Sequence, residues 1–405
     1  MRELYKFQEK TVADLLMGKH FVVAQMGTGK TAMMFGWLRH QTKAKVLIVT
    51  VASKRDSHEF ENEADDWCGE GYKASLSFFE VISWHGLAKW VKAHKTELAE
   101  WAYAFDECHR AKAGVSSGMG RAFLEITRNT NVWTAYTGTP GDTWLAFYPY
   151  FTACKLVKHK TEFLRNFAEM QTFKGYPEIV AWRHEDVMER WWRKIASIPD
   201  TSEAFAEMPK ETHTVIPFKR PASYARVKST RVTEDGEELD TTMALCHHLR
   251  QLCFTKEKKQ WLSDFIEGLG TNAIIFYTYV DEGDEIEALA KKVLPKGARV
   301  WRIDGKRHEI PTEATIGKYD IVVSQWESGS NSLNLQFINY WVSSTPNYSF
   351  STSLQARGRI KRIGQRKPMF FFYLKCENSI EEAIYQCLKG KSDFSEEVWA
   401  AREEL

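Results

Sequence analysis

A segment near the start of the chain combines glycines, a lysine and a threonine in a pattern that suits phosphate binding. Residues 25–31 read QMGTGKT, after a short apolar run at 21–24 and before a run with helical spacing at 32–40. Glycines let backbone N–H groups curl around phosphate oxygens, and the dipole of a helix N-terminus favours an anion. A chance match is the alternative, but the flanking runs favour a nucleotide site. The residues predicted to form it are Met26, Gly27, Thr28, Gly29, Lys30 and Thr31.

Two carboxylates at the end of a second apolar run could complete a site for nucleotide hydrolysis. That run leads into the sequence DECH at 106–109. In such a site Lys30 contacts the β- and γ-phosphates, while Thr31 and Asp106 hold Mg²⁺. Glu107 then orients and deprotonates the attacking water. Carboxylates after a strand can instead cap the next helix, but the glycine loop upstream favours the catalytic interpretation.

Length and composition indicate a globular protein with more than one domain. The chain has 405 residues, of which 43% are apolar and 27% are charged, and its net charge is +2. This composition argues against a disordered chain, and the length allows two or three domains. We find neither a leader pattern nor an apolar run that could cross a bilayer, so we expect a cytoplasmic protein with no membrane partner.

Charge and cysteine patterns leave two smaller questions open. Six basic residues and no acidic one lie between positions 355 and 367, a pattern that on charge alone fits an exposed basic face equally well. Seven cysteines without a Cys-x-x-Cys pair indicate a reducing compartment. Cys246, His247, His248 and Cys253 could bind zinc, but their spacing on an amphipathic helix favours a buried face instead.

Short apolar runs alternate with longer helical patterns, which predicts parallel strands joined by crossover helices. The strand signal fades between about 151 and 252, where we expect helices and a connecting segment at 208–218. We therefore predict an α/β fold with a first lobe at 1–150, a helical insertion and linker at 151–215, and a second lobe at 216–405. The predicted strands are 21–24, 46–51, 81–82, 102–105 and 132–135 in the first lobe, and 273–277, 300–303, 321–323, 338–342 and 369–374 in the second.

The order of motifs along the chain resembles that of superfamily-two helicases. It runs from Gln8 through MGTGKT and DECH to TGTP at 137–140. Residues 355–365, QARGRIKRIGQ, are very similar to the QAxGRxxRIGQ box of the Swi/Snf branch, which comprises duplex-DNA translocases. The segments at 274–276, 328–335 and 380–384 resemble further motifs of that branch. The chain departs from the usual motif residues at Ala24, Thr50, Val51, Cys108, Ser330 and Ser332.

The resemblance implies two RecA-like lobes that share one bound ATP. Gln8 then reads the adenine edge through its amide. Arg359 and Arg362 act as arginine fingers, which can accelerate turnover by ~10³–10⁵. Because they are three residues apart, we expect both arginines on one helix face. His109 and Gln355 are expected to couple the lobes. Contacts to the nucleic-acid backbone are expected from Ser53, Lys54, Thr278 and Asn334.

The activity that the resemblance implies is that of a nucleic-acid-stimulated ATPase, a helicase-type motor whose lobes close on ATP and Mg²⁺ and move along duplex DNA. Phosphate contacts make such binding independent of sequence and sensitive to salt. A strand-separating RNA or DNA helicase and a nucleotide-gated binding module with little turnover are the alternatives. A nuclease is disfavoured because no further acidic cluster is evident. The compact length suits a motor from a bacterium or from a virus-infected host cell, or one that works with a separate partner protein.

Overall fold

The structure is a computed structural model that describes residues 1–25, 27–141, 143–173, 176–202, 208–307, 309–329, 334–396 and 398–399, with backbone only at 53, 173 and 176. The chain divides into two compact units, Met1–Phe205 and Ala206–Leu405. Each unit contains a six-stranded sheet in which the paired strands are parallel. The prediction of an α/β fold with two lobes on parallel sheets is confirmed. Within the described ranges, no helix is long and apolar enough to cross a membrane.

The first unit has a buried core on each face of its sheet. The strand at Lys45–Thr50 shows why its sequence is a continuous apolar run: Val46 and Ile48 pack in one buried cluster, and Leu47 and Val49 in the other. Successive side chains of a strand point to opposite faces, so a sheet covered on both sides needs apolar residues at every position. The same holds for the strand that leads to Asp106, where every residue is buried.

The elements of the first unit follow one another along the chain with short connections. Its strands are β1 (Phe21–Val23), β2 (Lys45–Thr50), β3 (Phe78–Ser83), β4 (Trp101–Asp106), β5 (Trp133–Thr137), β6 (Ala168–Phe173), β7 (Tyr176–Trp182) and β8 (Ala196–Ser197). Its α-helices are α1 (Lys6–Leu16), α2 (Lys30–Leu38), α3 (Ala52–Asp56), α4 (Glu59–Cys68), α5 (Tyr72–Ser75), α6 (Trp84–Ala93), α7 (Gly118–Asn129), α8 (Tyr148–Ala153), α9 (Lys160–Phe167) and α10 (Glu185–Ile195). Short 3₁₀ helices lie at Leu98–Glu100, Cys108–Ala111, Gly114–Ser116 and Trp144–Phe147.

The strand order of the first sheet is β3-β2-β4-β5-β1-β8. The strands β2, β4, β5 and β1 are therefore consecutive neighbours, and all three pairings between them are parallel. Their carboxyl ends lie at one edge of the sheet, which is where open α/β sheets bind ligands. All five strands predicted for this part of the chain are present, with ends that differ by at most three residues.

The prediction that residues 151–252 contain only helices and a connecting segment is wrong. The strands β6 and β7 form an antiparallel hairpin, and β8 pairs with β1 at the edge of the first sheet. Met170 and Val180 of the hairpin are exposed. The hairpin strands therefore lack the continuous apolar run on which the prediction depended. The strand β8 is buried but has only two residues, which is too short for such a run.

The second unit repeats the alternation of parallel strands and helices. Its strands are β9 (Glu211–Phe218), β10 (Ala273–Tyr277), β11 (Val300–Ile303), β12 (Ile321–Gln325), β13 (Tyr340–Ser343) and β14 (Met369–Cys376). Its α-helices are α11 (Ser223–Thr230), α12 (Thr242–Leu252), α13 (Lys256–Gly268), α14 (Val280–Val293), α15 (Trp326–Gly329), α16 (Phe350–Arg357) and α17 (Ile380–Lys389). The strand order is β11-β12-β10-β13-β14-β9.

The strand β9 corrects the prediction of a connecting segment at 208–218. Its eight residues pair with β14 along its whole length, from Met369 opposite Glu211 to Cys376 opposite Phe218. Half-buried and exposed positions alternate along much of β9, and Pro217 lies near its end. An edge strand can contain proline and can have one face exposed to solvent. The sequence of such a strand is therefore similar to that of a polar connecting segment.

A fully buried ion pair joins two helices of the second unit. The ammonium of Lys258 on α13 lies 2.7 Å from the Glu381 carboxylate on α17, and both side chains are completely buried. Lys258 also donates to the Ser344 carbonyl at 3.0 Å. Cys253, Cys376 and Glu381 form the one cluster of possible metal ligands in the described part of the chain. Because Lys258 already neutralises Glu381, we read this cluster as packing and not as a metal site.

We expect Lys258→Met to lower the free energy of unfolding of the second unit by about 3–5 kcal/mol, because it leaves the Glu381 charge buried without its partner. Urea unfolding followed by tryptophan fluorescence measures the loss. The double variant Lys258→Met, Glu381→Met is the matched control and should recover most of the stability, since apolar replacement of a whole buried pair is often neutral. A single variant as stable as the double variant would contradict this account.

Candidate phosphate-binding site

Four neighbouring strands of the first sheet bring the phosphate loop and the acidic pair Asp106 and Glu107 to one edge. The phosphate loop follows β1, the acidic pair closes β4, Thr137 ends β5 and Thr50 ends β2. The loop entry is joined to β5 by a backbone bond from the Ala24 N–H to the Thr137 carbonyl, 3.1 Å long. The sheet order therefore brings together residues that are up to about a hundred positions apart in the sequence.

The phosphate loop has the backbone shape that its glycines allow. Gly27 and Gly29 both have a φ of 78°, in the left-handed region that favours glycine. The Thr28 hydroxyl donates to the Gln25 carbonyl at 2.7 Å, and the Lys30 ammonium lies 3.2 Å from the Ala24 carbonyl. Lys30 and Thr31 are the first residues of α2, so the N-terminus of this buried helix faces the loop. Met26 lies outside the described residues.

Gln8 packs against the phosphate loop from α1. It is 3% exposed, its amide nitrogen donates to the Thr28 carbonyl at 2.9 Å, and its amide oxygen accepts from the Tyr5 N–H at 3.0 Å. A glutamine amide has two donors and two acceptor lone pairs, so capacity for a base edge is left after these two bonds. The structure thus places Gln8 beside the nucleotide loop, and its role in reading adenine stays a prediction.

We expect Gly29→Ala to destabilise the first unit by about 1–3 kcal/mol, because a side chain is strained at this positive φ. Its Cβ would also lie 2.4 Å from the Gln8 amide nitrogen. Gly18→Ala is the matched control, since Gly18 has a φ of 101° but an added Cβ would have no atom within 4 Å. Thermal unfolding and binding of a fluorescent ATP analogue should both suffer more in Gly29→Ala. Equal losses in the two variants would contradict the predicted contact with Gln8.

Asp106 is buried at the end of β4 and held by two donors. The Thr50 hydroxyl and the Lys54 ammonium reach the same carboxylate oxygen, Oδ2, at 2.8 and 2.9 Å. The Trp84 indole donates to the Asp106 carbonyl at 2.7 Å and fixes the backbone. Described residues give the other oxygen, Oδ1, no hydrogen bond. A carboxylate oxygen on a rigid strand next to a phosphate loop is a suitable ligand for Mg²⁺ or for its water, so the donor set fits the predicted metal.

Glu107 follows directly and has a strained backbone. Its φ is 50°, which for a residue other than glycine costs of the order of 1–3 kcal/mol and is common at functional sites. Burial raises the pKa of Glu107, but His109, Lys30 and Lys54 outweigh it and lower the pKa to about 2. The residue is therefore an ionised carboxylate at neutral pH, in the protonation state that a general base requires.

His109 connects the acidic pair to the turn after β5. Its Nδ1 lies 3.4 Å from Glu107 Oε2 and 3.2 Å from the Thr137 hydroxyl, and that hydroxyl accepts from the Thr139 N–H at 3.1 Å. These contacts join DECH to TGTP inside the first unit. The expected coupling of His109 to the other lobe stays a prediction.

Ser53 and Lys54 are the two residues of the first unit that were predicted to contact the nucleic-acid backbone. Lys54 is turned inward: its side chain is 16% exposed and its ammonium contacts Asp106. Burial lowers the pKa of Lys54, but the carboxylates of Asp106, Glu59 and Glu107 raise it above its ordinary value. Ser53 lies on α3 with its side chain undescribed. Lys54 and Thr50 thus both belong to the pocket. Thr50 had no predicted role, although a polar residue at the end of the apolar strand β2 could have indicated one.

The two predicted arginine fingers do not share a helix face, which corrects that expectation. The helix α16 ends at Arg357, and the chain continues from Gly358 in a series of turns. Arg359 is 8% exposed, and its carbonyl accepts from the Leu335 N–H at 3.2 Å. Gln355 is half-buried on α16, and Arg362 is half-buried in the turns that follow. Glycine is a poor helix residue, which accounts for the end of the helix at this point.

A buried glutamine holds the turns that carry both arginines. The Gln365 amide nitrogen donates to the Ile338 and Ile360 carbonyls at 2.9 and 3.2 Å. Its amide oxygen accepts from the N–H groups of Arg366 and Lys367 at 3.0 and 2.9 Å. Three of the four bonds hold the backbone of this segment, and the fourth joins it to Ile338, just before β13. In the sequence, the only signal for Gln365 was its place at the end of the QARGRIKRIGQ motif.

The other two expected nucleic-acid contacts lie in the second unit. Thr278 follows β10, and its hydroxyl is contacted by Arg250 at 3.1 Å and by the Thr345 hydroxyl at 2.9 Å. Thr345 also contacts the buried Glu282 carboxylate at 2.9 Å. Asn334 is exposed, and residues 330–333 before it lie outside the described ranges. Thr278 is therefore part of a polar network at the carboxyl end of its sheet.

Comparisons with known proteins give three findings. Residues 257–364 match the family described as Helicase conserved C-terminal domain. No sequence among the curated proteins matches the chain. Among solved structures, the chain is similar to the Sulfolobus solfataricus SWI2/SNF2 ATPase core in complex with dsDNA, with a TM-score of 0.44 and 16% sequence identity over 96% of this chain and 91% of that chain.

Proposed function

We propose, from the helicase-type domain at 257–364 and the phosphate-binding edge of the first unit, that this chain is an ATP-dependent nucleic-acid motor. The observation that carries the proposal is the meeting of the phosphate loop, Asp106, Glu107 and Thr137 at the carboxyl ends of β1, β4 and β5. A loop that cradles phosphates beside a buried carboxylate pair is the arrangement that hydrolysis of a nucleoside triphosphate requires.

Each residue of the pocket has a distinct role in the proposed reaction. The backbone N–H groups of the loop and the Lys30 ammonium bind the phosphates, and the Gln8 amide is next to them for the base. The Thr31 hydroxyl and Asp106 hold Mg²⁺, which when bound neutralises charge on the phosphate oxygens. Glu107 orients the attacking water and accepts its proton.

The second unit supports a motor over a simple nucleotide hydrolase. We propose that Arg359 and Arg362 stabilise the negative charge that develops on the transferred phosphoryl group, and that His109 and Gln355 link hydrolysis to the engagement of the two units. The affinity for nucleotide then differs between the open and closed states of the protein, and this difference biases movement in one direction. The QARGRIKRIGQ segment resembles the Swi/Snf box, so a duplex-DNA translocase is the most specific form of the proposal.

ATPase assays at one salt concentration with duplex DNA, single-stranded DNA, RNA or no polynucleotide test the proposed function. We expect duplex DNA to stimulate turnover most, and Lys30→Ala to abolish turnover under every condition. Stronger stimulation by single-stranded RNA would favour the strand-separating RNA helicase. Tight, nucleotide-dependent binding of nucleic acid with negligible turnover would favour the binding module. Turnover that is equally fast without polynucleotide would exclude a nucleic-acid motor.

A further inference from the structure

A second lysine lies inside the phosphate-binding pocket, in addition to the lysine of the glycine loop. The chain leaves β2 at Thr50 and enters α3 at once, which turns Lys54 back toward the end of β4. Its ammonium lies 2.9 Å from Asp106 Oδ2 and 5.4 Å from the centre of the Phe60 ring. The Asp106 side chain is only 2% exposed. This is a buried ion pair between an expected metal ligand and a fixed cation.

Lys54 offsets part of the negative charge of the pocket. Asp106 and Glu107 are the carboxylates at the end of β4, and the Glu59 carboxylate on α4 also acts on Lys54. Lys30 and Lys54 are the ammonium groups, and both act electrostatically on Glu107. Removal of Lys54 would take one positive charge away from the oxygen expected to face a metal. Charges within a few ångströms interact strongly in a partly buried site, so the affinity of this pocket for a bare divalent cation should depend on that lysine.

We propose that Lys54 is the counter-ion of the acidic pair and makes the pocket select a metal–triphosphate complex over a free divalent cation. The inference deepens the proposed function and rests on it in one respect, the role of Asp106 as metal ligand. A free cation is repelled by Lys54 and brings no negative charge of its own to offset that repulsion. A cation that arrives with a triphosphate brings its own negative charge, which Lys30 and Lys54 favour. Lys54 is thus a positioning and selectivity residue of the pocket.

Binding of Mn²⁺ without nucleotide, followed by electron paramagnetic resonance on the full chain, tests this inference. We expect weak binding to the unmodified protein and at least ~10-fold tighter binding to Lys54→Met, because a nearby unit charge has been removed. Lys54→Arg keeps the charge and should bind Mn²⁺ as weakly as the unmodified protein. Adding Asp106→Asn to Lys54→Met should abolish the gain.

Two matched controls separate the charge of Lys54 from its hydrogen bond and from surface electrostatics. Thr50→Val removes the other donor to Asp106 Oδ2 without a change of charge and should tighten Mn²⁺ binding by less than Lys54→Met does. Lys45→Met removes a lysine at the opposite end of β2, where it pairs with Glu97 and Glu100, and should have no effect. Lys54→Gln replaces Lys54→Met if circular dichroism shows that the latter does not fold.

The inference is overturned if neither Lys54→Met nor Lys54→Gln binds Mn²⁺ more tightly, or if Lys45→Met tightens binding equally. Its failure can be told apart from that of the proposed function. If polynucleotides stimulate the ATPase of the unmodified protein but the Lys54 variants bind Mn²⁺ no more tightly, only the counter-ion role of Lys54 is rejected. If the Lys54 variants bind Mn²⁺ more tightly but polynucleotides do not stimulate the ATPase, the counter-ion role of Lys54 is retained and the proposed motor function is rejected.

Discussion

Glu107→Gln should reduce the rate of ATP turnover by ~10²–10⁴, the contribution usual for a positioned general base, while ATP still binds. Glutamine has nearly the same shape but cannot accept the proton of the attacking water. The strained φ of 50° at this position is a property of the backbone and should persist in the variant. Single-turnover hydrolysis measures the chemical step, and titration with a fluorescent ATP analogue measures binding.

The matched control is Glu59→Gln, which removes another carboxylate that acts on Lys54 but lies on α4. It should retain nearly full turnover. The direction of the pKa shift adds a second readout: a carboxylate with its pKa lowered to about 2 stays ionised at every pH well above that value. Acidification from about pH 8 to about pH 5 should therefore not remove this base. A Glu107→Gln enzyme with normal single-turnover rates would reject the assignment.

Arg359→Ala should leave ATP binding intact and reduce turnover by at least ~10³, the lower end of the range for an arginine finger. The cause is loss of charge stabilisation in the transition state, which a ground-state binding measurement does not detect. The carbonyl of Arg359, which accepts from Leu335, is unaffected by the substitution, so the local fold should be retained. Steady-state ATPase with duplex DNA and equilibrium ATP binding are the two measurements.

Arg366→Ala is the matched control for Arg359, because it removes an exposed arginine from the same basic segment. It should weaken nucleic-acid binding slightly at most and leave turnover per bound enzyme unchanged. If Arg359→Ala and Arg366→Ala have the same modest effect, the segment is a basic surface and not a source of arginine fingers. That is the alternative which its charge pattern left open.

The sequence predicted five strands of each sheet and missed the sixth, which in both sheets is an edge strand. Strands such as β2 and β10 are buried on both faces, so their apolar runs are continuous and visible. The strand β9 is exposed at alternate positions, and the hairpin β6–β7 has apolar side chains in solvent. The strand β9 also depends on a pairing partner, β14, that is distant in the sequence, and no local pattern encodes such a partner.

The candidate site was predictable where its residues lie in loops of defined backbone shape. Gly27, Gly29 and Asp106 are where the motifs required them. Lys54 was expected to face nucleic acid, yet its direction is set by the start of α3 immediately after β2. Helical spacing placed Arg359 and Arg362 together, but the helix ends before them. The side-chain directions at Lys54 and Arg359 depend on where an element begins or ends, and that boundary is the least readable property of a sequence.

The edge position of β9 matters for anyone who wishes to produce the second unit by itself. A fragment that starts at residue 216 would lack the first five residues of β9. The part of β14 that begins at Met369, opposite Glu211, would then have no strand to pair with. Unpaired main-chain groups on a hydrophobic strand recruit the same edge of another molecule, which leads to precipitation. Fragments that begin upstream of Glu211 would keep the whole pairing between β9 and β14.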